Sequence, residues 1–446
     1  MNKTTWNGVI EGFYGRPWTA EERTELFSWM TDCGSMNTYM YAPKDDLLHR
    51  GRWRELYAPA EAKALQELIA LTHSKGMRFI YSIAPGLDMA YASDADRAAL
   101  NTKIDQVVSI GCSEFAILFD DIPETLLEAD AKVFNSFAHA QGIVSNELLA
   151  HLQSQNPDSS LLFCPTTYCG RMATPTVAED AYLNELGDLL DPAIGFIWTG
   201  PDVLSEEISV ESIQELVSAI KRKPVIWDNL HANDYDNRRY FVGPYAGRPL
   251  ALRNEVLGIM TNPNCQFELN YIPIVSLGMY LAAKDSWDER ANYLELLPKF
   301  QARHGFTHPN PEACDITLLS DLFYLPHSFG ETGQRMMDTI EFLFKNDIAD
   351  WGDGYKEFQA TMEKLGLVMT ELNNVSNREM LYALYGPVWM LREEIHLVNK
   401  VLEWKVGGCK GDCRSVYHLP KTYRGNLVDL LSSYFHLDDD AAFQQS

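Results

Sequence analysis

Short apolar runs recur through the first 300 residues, and between them lie stretches whose apolar positions repeat at helical spacing. The runs cover residues 9–10, 37–42, 79–84, 115–119, 161–164, 195–198, 225–228 and 257–261. Each is short, apolar and bounded by turn-forming residues, as are strands buried on both faces of a parallel sheet. Amphipathic stretches at 21–31, 60–74, 96–109, 132–152 and 210–221 read as the helices between them. Eight strands, each followed by room for a helix, predict an α/β fold, a (β/α)8 TIM barrel rather than an open doubly wound sheet. The last crossover is the weakest, because residues 237–254 show little helical periodicity. From about residue 297 the pattern becomes wholly helical, with stretches at 331–344, 355–372 and 378–404. The chain therefore divides into a barrel domain over residues 1–298 and an α-helical domain over 299–446, ending in a short acidic tail around Asp438-Asp439-Asp440.

Polar and aromatic residues gather just after the predicted strands. They include Glu11-Gly12-Phe13-Tyr14-Gly15-Arg16-Pro17-Trp18, Pro43-Lys44-Asp45-Asp46, Pro165-Thr166-Thr167-Tyr168, Trp227-Asp228-Asn229 and Thr261-Asn262-Pro263-Asn264. In a barrel these segments share one rim, and such a convergence suits a small-molecule or sugar site. The sharpest signal among them is Asp120-Asp121, closing the run Phe115-Ala116-Ile117-Leu118-Phe119. Alternation along a strand would send the two carboxylates opposite ways. Pro123 has no N–H for a ladder, so the strand is expected to stop and the loop to turn Asp121 back toward the barrel axis. Taken alone the pair would read as a strand end with a helix cap; the surrounding rim favours chemistry.

Composition narrows the partners. The formal charge is −25, from 62 acidic residues against 37 Lys and Arg. A field of that sign repels phosphate backbones and anionic membranes, so no nucleic acid and no membrane partner is expected. No apolar stretch is long enough to span a bilayer, and no signal-peptide pattern opens the chain, so the expected location is cytoplasmic. The eight cysteines are scattered and read as reduced thiols. Cys409 and Cys413, with His418 nearby, hint at a metal, but a structural site needs four ligands and a second pair is missing. No metal and no cofactor is expected. The pattern leaves oligomeric state open.

Two carboxylates at one rim invite glycoside hydrolysis. Standard pairs sit on separate elements with a sugar or water between them, whereas adjacent aspartates suit a substrate that supplies its own nucleophile. The carbonyl oxygen of a 2-acetamido group can close on C1 while one carboxylate orients its N–H and the other is the general acid. A like-charged, partly buried neighbour favours the protonated form that an acid needs. Asp234, Asn229 and Asn262 are loop residues able to bind sugar hydroxyls or the acetamide, though each also suits a turn. Tyr168 can donate to the acetamide oxygen, Lys44 can bridge a carboxylate or a sugar oxygen, and Trp227 offers an aromatic wall. His49 and His231 lack metal-ligand spacing.

The motifs from Gly8 to Trp18, Asn37 to Asp46, Leu118 to Ile122, Trp227 to Asp236 and Thr261 to Cys265 resemble the protein O-GlcNAcase family. These are retaining β-N-acetylglucosaminidases that include hyaluronidase-like bacterial members, and the resemblance covers roughly residues 6 to 275. It implies a (β/α)8 catalytic domain followed by a helical domain, no metal, and substrate-assisted catalysis. It further implies that Asp120 orients and polarises the acetamide, that Asp121 is the general acid and then base, and that Tyr168 stabilises the acetamide oxygen. By the same resemblance Gly12 (through its backbone), Lys44, Asn229, Asp234 and Asn262 bind the sugar and Trp227 walls the pocket. The expected substrate is a β-GlcNAc-bearing glycoprotein, peptide or small glycoside; a polyanion such as hyaluronan fits poorly with the net charge. Two alternatives remain from the residues alone. One is a catalytically silent glycan-binding barrel, and the other a metal-dependent hydrolase using Asp120, Asp121, Asp228 and His231.

Overall fold

The computed structural model describes residues 5–305, 316–409, 423, 425–437 and 443–445. Its chain forms two compact units. The first runs up to Asp234 and adds Tyr245–Phe267 and Ile274–Glu289. It contains eight parallel strands: β1 (Gly8–Glu11), β2 (Thr38–Tyr41), β3 (Arg78–Ile83), β4 (Glu114–Leu118), β5 (Ser160–Cys164), β6 (Gly195–Trp198), β7 (Pro224–Asp228) and β8 (Gly258–Thr261). They close into a barrel in chain order, with Gly8 of β1 registered on Met260 of β8. Every apolar run expected to be a strand is one, and the (β/α)8 architecture stands.

The crossovers carry α1 (Ala20–Cys33), α2 (Pro59–Ser74), α3 (Asp94–Ser109), α4 (Phe137–Gln155), α5 (Ala181–Leu189) and α6 (Val210–Ile220). Three points differ from the sequence pattern. The helix expected from residue 132 begins at Phe137, because Ser136 caps it by accepting from the His139 N–H. The sequence pattern passes over α5, a helix of nine residues whose apolar face, Leu183, Leu186 and Leu189, is short. Between β7 and β8 there is a 3₁₀ turn at Leu250–Asn254 and no α-helix; Pro244 and Pro249 each lack the N–H a helix needs. After β8 the chain enters α7 (Tyr271–Ala282).

Alternate strand residues fill the barrel. Ile10, Met40, Ile80, Ala116, Leu118, Leu162, Cys164, Ile197, Val225, Trp227 and Met260 form one buried cluster. Period-two alternation then sends inward the residues two steps past the last core position, which are Gly12 after Ile10, Lys44 after Ala42, Asp120 after Leu118, Asn229 after Trp227 and Asn262 after Met260.

The second unit comprises Tyr235–Pro244, Glu268–Pro273 and the chain from Arg290 on. It holds most of α8 (Glu289–Arg303), then α9 (Thr317–Leu322), α10 (Glu331–Lys345), α11 (Gly354–Glu371), α12 (Arg378–Val406) and α13 (Leu427–Ser432), with a two-stranded ribbon of β9 (Phe435–Leu437) and β10 (Phe443–Gln445). The three long helices expected here are all present. Lys405 of α12 reaches the end of α10 and donates to the carbonyls of Leu343, Phe344 and Asn346 at 3.0, 2.9 and 2.7 Å, satisfying groups a helix end leaves open. Among the described residues six cysteines are free thiols. Cys413 and His418, and the acidic triplet 438–440, lie outside the described residues. No helix of the described chain is long and apolar enough to cross a membrane.

Candidate active site

Strand β4 stops at Leu118, where the Phe119 N–H still donates to Cys164 at 2.9 Å and pins the strand end to β5. Asp120 follows in the inward register. Asp121 then adopts φ +51°, a left-handed conformation that Asp tolerates better than most residues. That reversal keeps the second carboxylate at the mouth with the first. The loop beyond is irregular until a 3₁₀ turn at Asp130–Lys132, so neither aspartate caps a helix.

The two carboxylates have unlike surroundings. Asp120 Oδ2 accepts from Lys44 Nζ at 2.6 Å, whereas its buried Oδ1 has no partner in the protein. Burial pushes this carboxyl up, but the Lys44 ammonium, its hydrogen bond and Arg50 outweigh it and hold Asp120 below the usual carboxylate range. Asp120 is therefore ionised, with one oxygen able to receive an N–H. Asp121 receives hydroxyls instead: Tyr168 donates to Oδ1 at 2.9 Å and Tyr14 to Oδ2 at 3.3 Å. Burial first, then the Asp121 charge, pushes the Tyr168 phenol well above its ordinary value, so it stays a proton donor.

The other wall comes from β1, β7 and β8. A Cβ on Gly12 would stand 2.4 Å from Trp227 Cζ2, so only glycine lets the indole lie against this strand end. Trp227 Nε1–H, a donor only, gives its proton to Asn229 Oδ1 at 3.0 Å. The same oxygen takes a second bond from Asn262 Nδ2 at 3.0 Å, which fixes both amide orientations. The buried Oδ1 of Asn262 is thereby left without a protein partner, a second open acceptor. Asn229 also donates to the Val203 carbonyl at 2.9 Å, so it braces the wall and keeps one amide N–H in hand. Asp234 Oδ2 accepts from the Tyr14 backbone N–H at 2.9 Å. Burial raises the Asp234 carboxyl above its ordinary value, against the lowering effect of that bond.

The geometry thus gathers Asp120, Asp121, Tyr168 and Lys44 in one bonded cluster and links Trp227, Asn229 and Asn262 in another. Asp234 is tied to the first cluster through Tyr14. In this state the Tyr168 hydroxyl is spent on Asp121.

Asp228, the carboxylate next in chain to Trp227, is locked elsewhere. Arg248 grips it at 2.8 Å through Nε and Nη2, and Tyr245 donates to it at 2.8 Å. The metal set Asp120, Asp121, Asp228 and His231 is therefore not assembled, and among the described residues no three His, Cys, Asp or Glu side chains gather to hold a metal. His49 is fully buried, donates through Nδ1 to the Ser82 carbonyl at 2.8 Å, and is lowered to about 4 by burial and then by Lys44. It stays neutral at working pH.

Sequence reasoning passed over Tyr14 and Arg50. Tyr14 lies inside a motif quoted above, but its hydroxyl contact spans 107 residues of chain. Arg50 sits in the β2–α2 loop and donates to the Tyr14 hydroxyl at 2.8 Å and to the Asp121 carbonyl at 3.1 Å, contacts that no spacing rule predicts.

Residues 7–307 match a family model described as beta-N-acetylglucosaminidase. The chain is 49% identical over 273 residues to the proteins named Protein O-GlcNAcase of Rattus norvegicus and Mus musculus, an overlap of 61% of this chain and 29% of each relative. It spans less than a third of their length. In structure it is similar to a variant of the Thermobaculum terrenum O-GlcNAc hydrolase, with a TM-score of 0.80 at 26% identity, covering 89% of this chain and 83% of that one.

Proposed function

Because the chain belongs to the beta-N-acetylglucosaminidase family, we propose that it is a retaining exo-β-N-acetylglucosaminidase working by substrate assistance. Its substrates are GlcNAc O-linked to Ser or Thr of proteins, or terminal β-GlcNAc of glycosides. One observation carries this reading: an ionised, lysine-held Asp120 with a buried open oxygen stands beside a second carboxyl, Asp121, which two tyrosine hydroxyls hold at the mouth.

The first half-reaction follows from that asymmetry. Asp120 Oδ1 accepts the acetamide N–H, turning the carbonyl oxygen toward C1 and offsetting the positive charge that grows on the amide. That oxygen attacks C1 while Asp121, protonated, gives its proton to the departing oxygen, so the C1–O bond to the aglycone breaks as an oxazolinium ring forms, its N–H still held by the Asp120 carboxylate. Asp121, now a carboxylate, takes a proton from water in the second half, and the water adds to C1 and reopens the ring. Two displacements retain the β configuration. Tyr168 donates to the acetamide oxygen once the sugar is bound, and its one proton then leaves Asp121. Asn262 Oδ1, Asp234 and the Gly12 backbone take sugar groups, Lys44 keeps Asp120 ionised, Asn229 supports Trp227 and offers its spare N–H, and Trp227 covers an apolar sugar face.

The barrel, residues 1–298, is the catalytic domain in this reading, and the helical domain is 299–446. A cytoplasmic location accords with a protein-linked substrate. Release of 4-nitrophenol from its β-GlcNAc glycoside is the test: purified wild type turns over and Asp121→Asn is impaired. A wild type that releases none under conditions where it is folded contradicts the reading. The ratio of kcat/KM for a GlcNAc-modified protein over that for a free glycan then assigns the aglycone.

A further inference from the structure

Arg50, Tyr14 and Asp121 form a closed ring of hydrogen bonds. Arg50 Nη1 donates to the Tyr14 hydroxyl oxygen at 2.8 Å, Tyr14 donates to Asp121 Oδ2 at 3.3 Å, and Arg50 Nη2 donates to the Asp121 backbone carbonyl at 3.1 Å. With Asp121 as a carboxylate, the direction of each bond is forced. A guanidinium has donors only, so the Tyr14 oxygen must accept there, and its single proton is left for the carboxylate. Arg50 is itself buried, whereas Tyr14 is 47% exposed at the mouth. A rim tyrosine with that much exposure would sample several rotamers if its hydroxyl were unheld. The guanidinium also stands 5.7 Å from the centre of the Tyr14 ring, a second attraction on the same side chain.

The ring acts on both variables that aim the carboxyl. The Arg50 bond to the carbonyl fixes the backbone at the left-handed residue, and the Tyr14 bond fixes the side-chain torsions. Tyr168 holds the other oxygen in this state but is drawn to the acetamide when sugar binds, so the Arg50–Tyr14 pair is what remains on Asp121 during proton transfer. Burial raises the Tyr14 phenol to about 12, so it keeps its proton throughout. We infer that Tyr14 and Arg50 are positioning residues that hold Asp121 in line with the leaving-group oxygen. This rests on the proposed function, since it assigns two further residues to the same reaction.

The test uses two aryl β-GlcNAc glycosides of similar size, the 2,4-dinitrophenyl compound, whose phenol leaves unaided, and the 4-methoxyphenyl compound, whose phenol needs a proton. Tyr14→Phe should lower kcat/KM about tenfold on the methoxyphenyl glycoside and less than about threefold on the dinitrophenyl one, a part of the roughly 10²–10⁴ that acid catalysis supplies. Arg50→Gln should show the same selectivity. Placed on Asp121→Asn, Tyr14→Phe should cost nothing further, because residues acting through one group are not additive. Equal losses on both glycosides, or an undiminished loss in the Asp121→Asn background, would overturn the inference. A wild type inactive on both glycosides would instead sink the proposed function.

Discussion

Two sets of buried charge sit at the same ends of the barrel strands, and they are completed differently. Glu11 and Asp228 follow inward-facing Ile10 and Trp227, so they lie on the outer side of the wall. Glu11 is saturated: Arg23 grips both its oxygens at 2.7 and 2.8 Å, the Trp18 N–H donates at 3.0 Å, and the Tyr39 hydroxyl donates as well. Asp228 is saturated by Arg248, Tyr245 and the Leu230 N–H. On the inner side, Asp120 has one oxygen on Lys44 and no donor on the other, and Asn262 likewise keeps a bare acceptor. Glu11 and Asp228, with every lone pair met inside the protein, hold the wall together, whereas the open oxygen of Asp120, facing the barrel mouth beside Asp121, is placed to receive a donor from a bound sugar.

That contrast is most sharply broken or upheld by substitution on each side of the wall. Asp121→Asn should cut kcat/KM by about 10²–10⁴ on poor leaving groups and far less on good ones, as loss of an acid would. Asp120→Asn should cut both by roughly 10²–10³, as loss of a preorganised charge would, with the far-UV circular dichroism unchanged. Equal losses in both variants on both substrates would mean the roles are misassigned. Arg248→Met should do the reverse, lowering the unfolding free energy by about 3–5 kcal/mol in denaturant titration by stranding the Asp228 charge, while the folded fraction keeps its kcat. Gly12→Ala should cost about 1–3 kcal/mol of substrate binding, read as a rise in KM, because the new methyl drives the Trp227 ring into the pocket.

The smallest effect expected is on pH. Asp120 is held below its unfolded value, so its stabilising contribution is present above the ordinary carboxylate range, near 3.9, and is lost as pH falls through its own lower value. Lys44→Met removes the largest lowering influence and leaves burial, which raises the group, opposed mainly by Arg50. The acid limb of kcat/KM should move up, and the part of acid destabilisation due to Asp120 should shrink, because a carboxyl loses stability on acidification only while its folded value lies below its unfolded one. An acid limb that stays in place would show that Lys44 does not set the Asp120 ionisation.

The inner half of this contrast is legible in the chain, whereas the outer half is not: Asp228 reads there as a possible metal ligand, and nothing in the spacing reveals its pairing with Arg248. The apolar runs located all eight strands, and the residues two steps beyond the last inward-facing core position of β1, β2, β4, β7 and β8 are the inner set: Gly12, Lys44, Asp120, Asn229 and Asn262. Alternation alone would have put Asp121 on the outer side; the turn back expected from the Pro123 loop is made by a φ of +51° at Asp121 itself. The division of labour between Asn229 and Asn262 was hidden, since it depends on the Trp227 indole proton arriving at one amide oxygen. Tyr14 and Arg50 were missed because their pairing joins two loops through a third, and no periodicity records such a meeting. In the second unit, apolar spacing was enough for the long helices, because there burial of one face decides the structure.

The claim at the centre is that the substrate's own acetamide is the nucleophile, oriented by Asp120. It is tested most directly by kcat/KM for 4-methylumbelliferyl glycosides carrying acetyl, monofluoroacetyl, difluoroacetyl and trifluoroacetyl groups on the C2 nitrogen. Each fluorine weakens the carbonyl oxygen as a nucleophile, so the account predicts a stepwise fall along the series, steep in wild type and flattened in Asp120→Asn. A rate indifferent to fluorination, in a wild type that hydrolyses the parent compound, would contradict it.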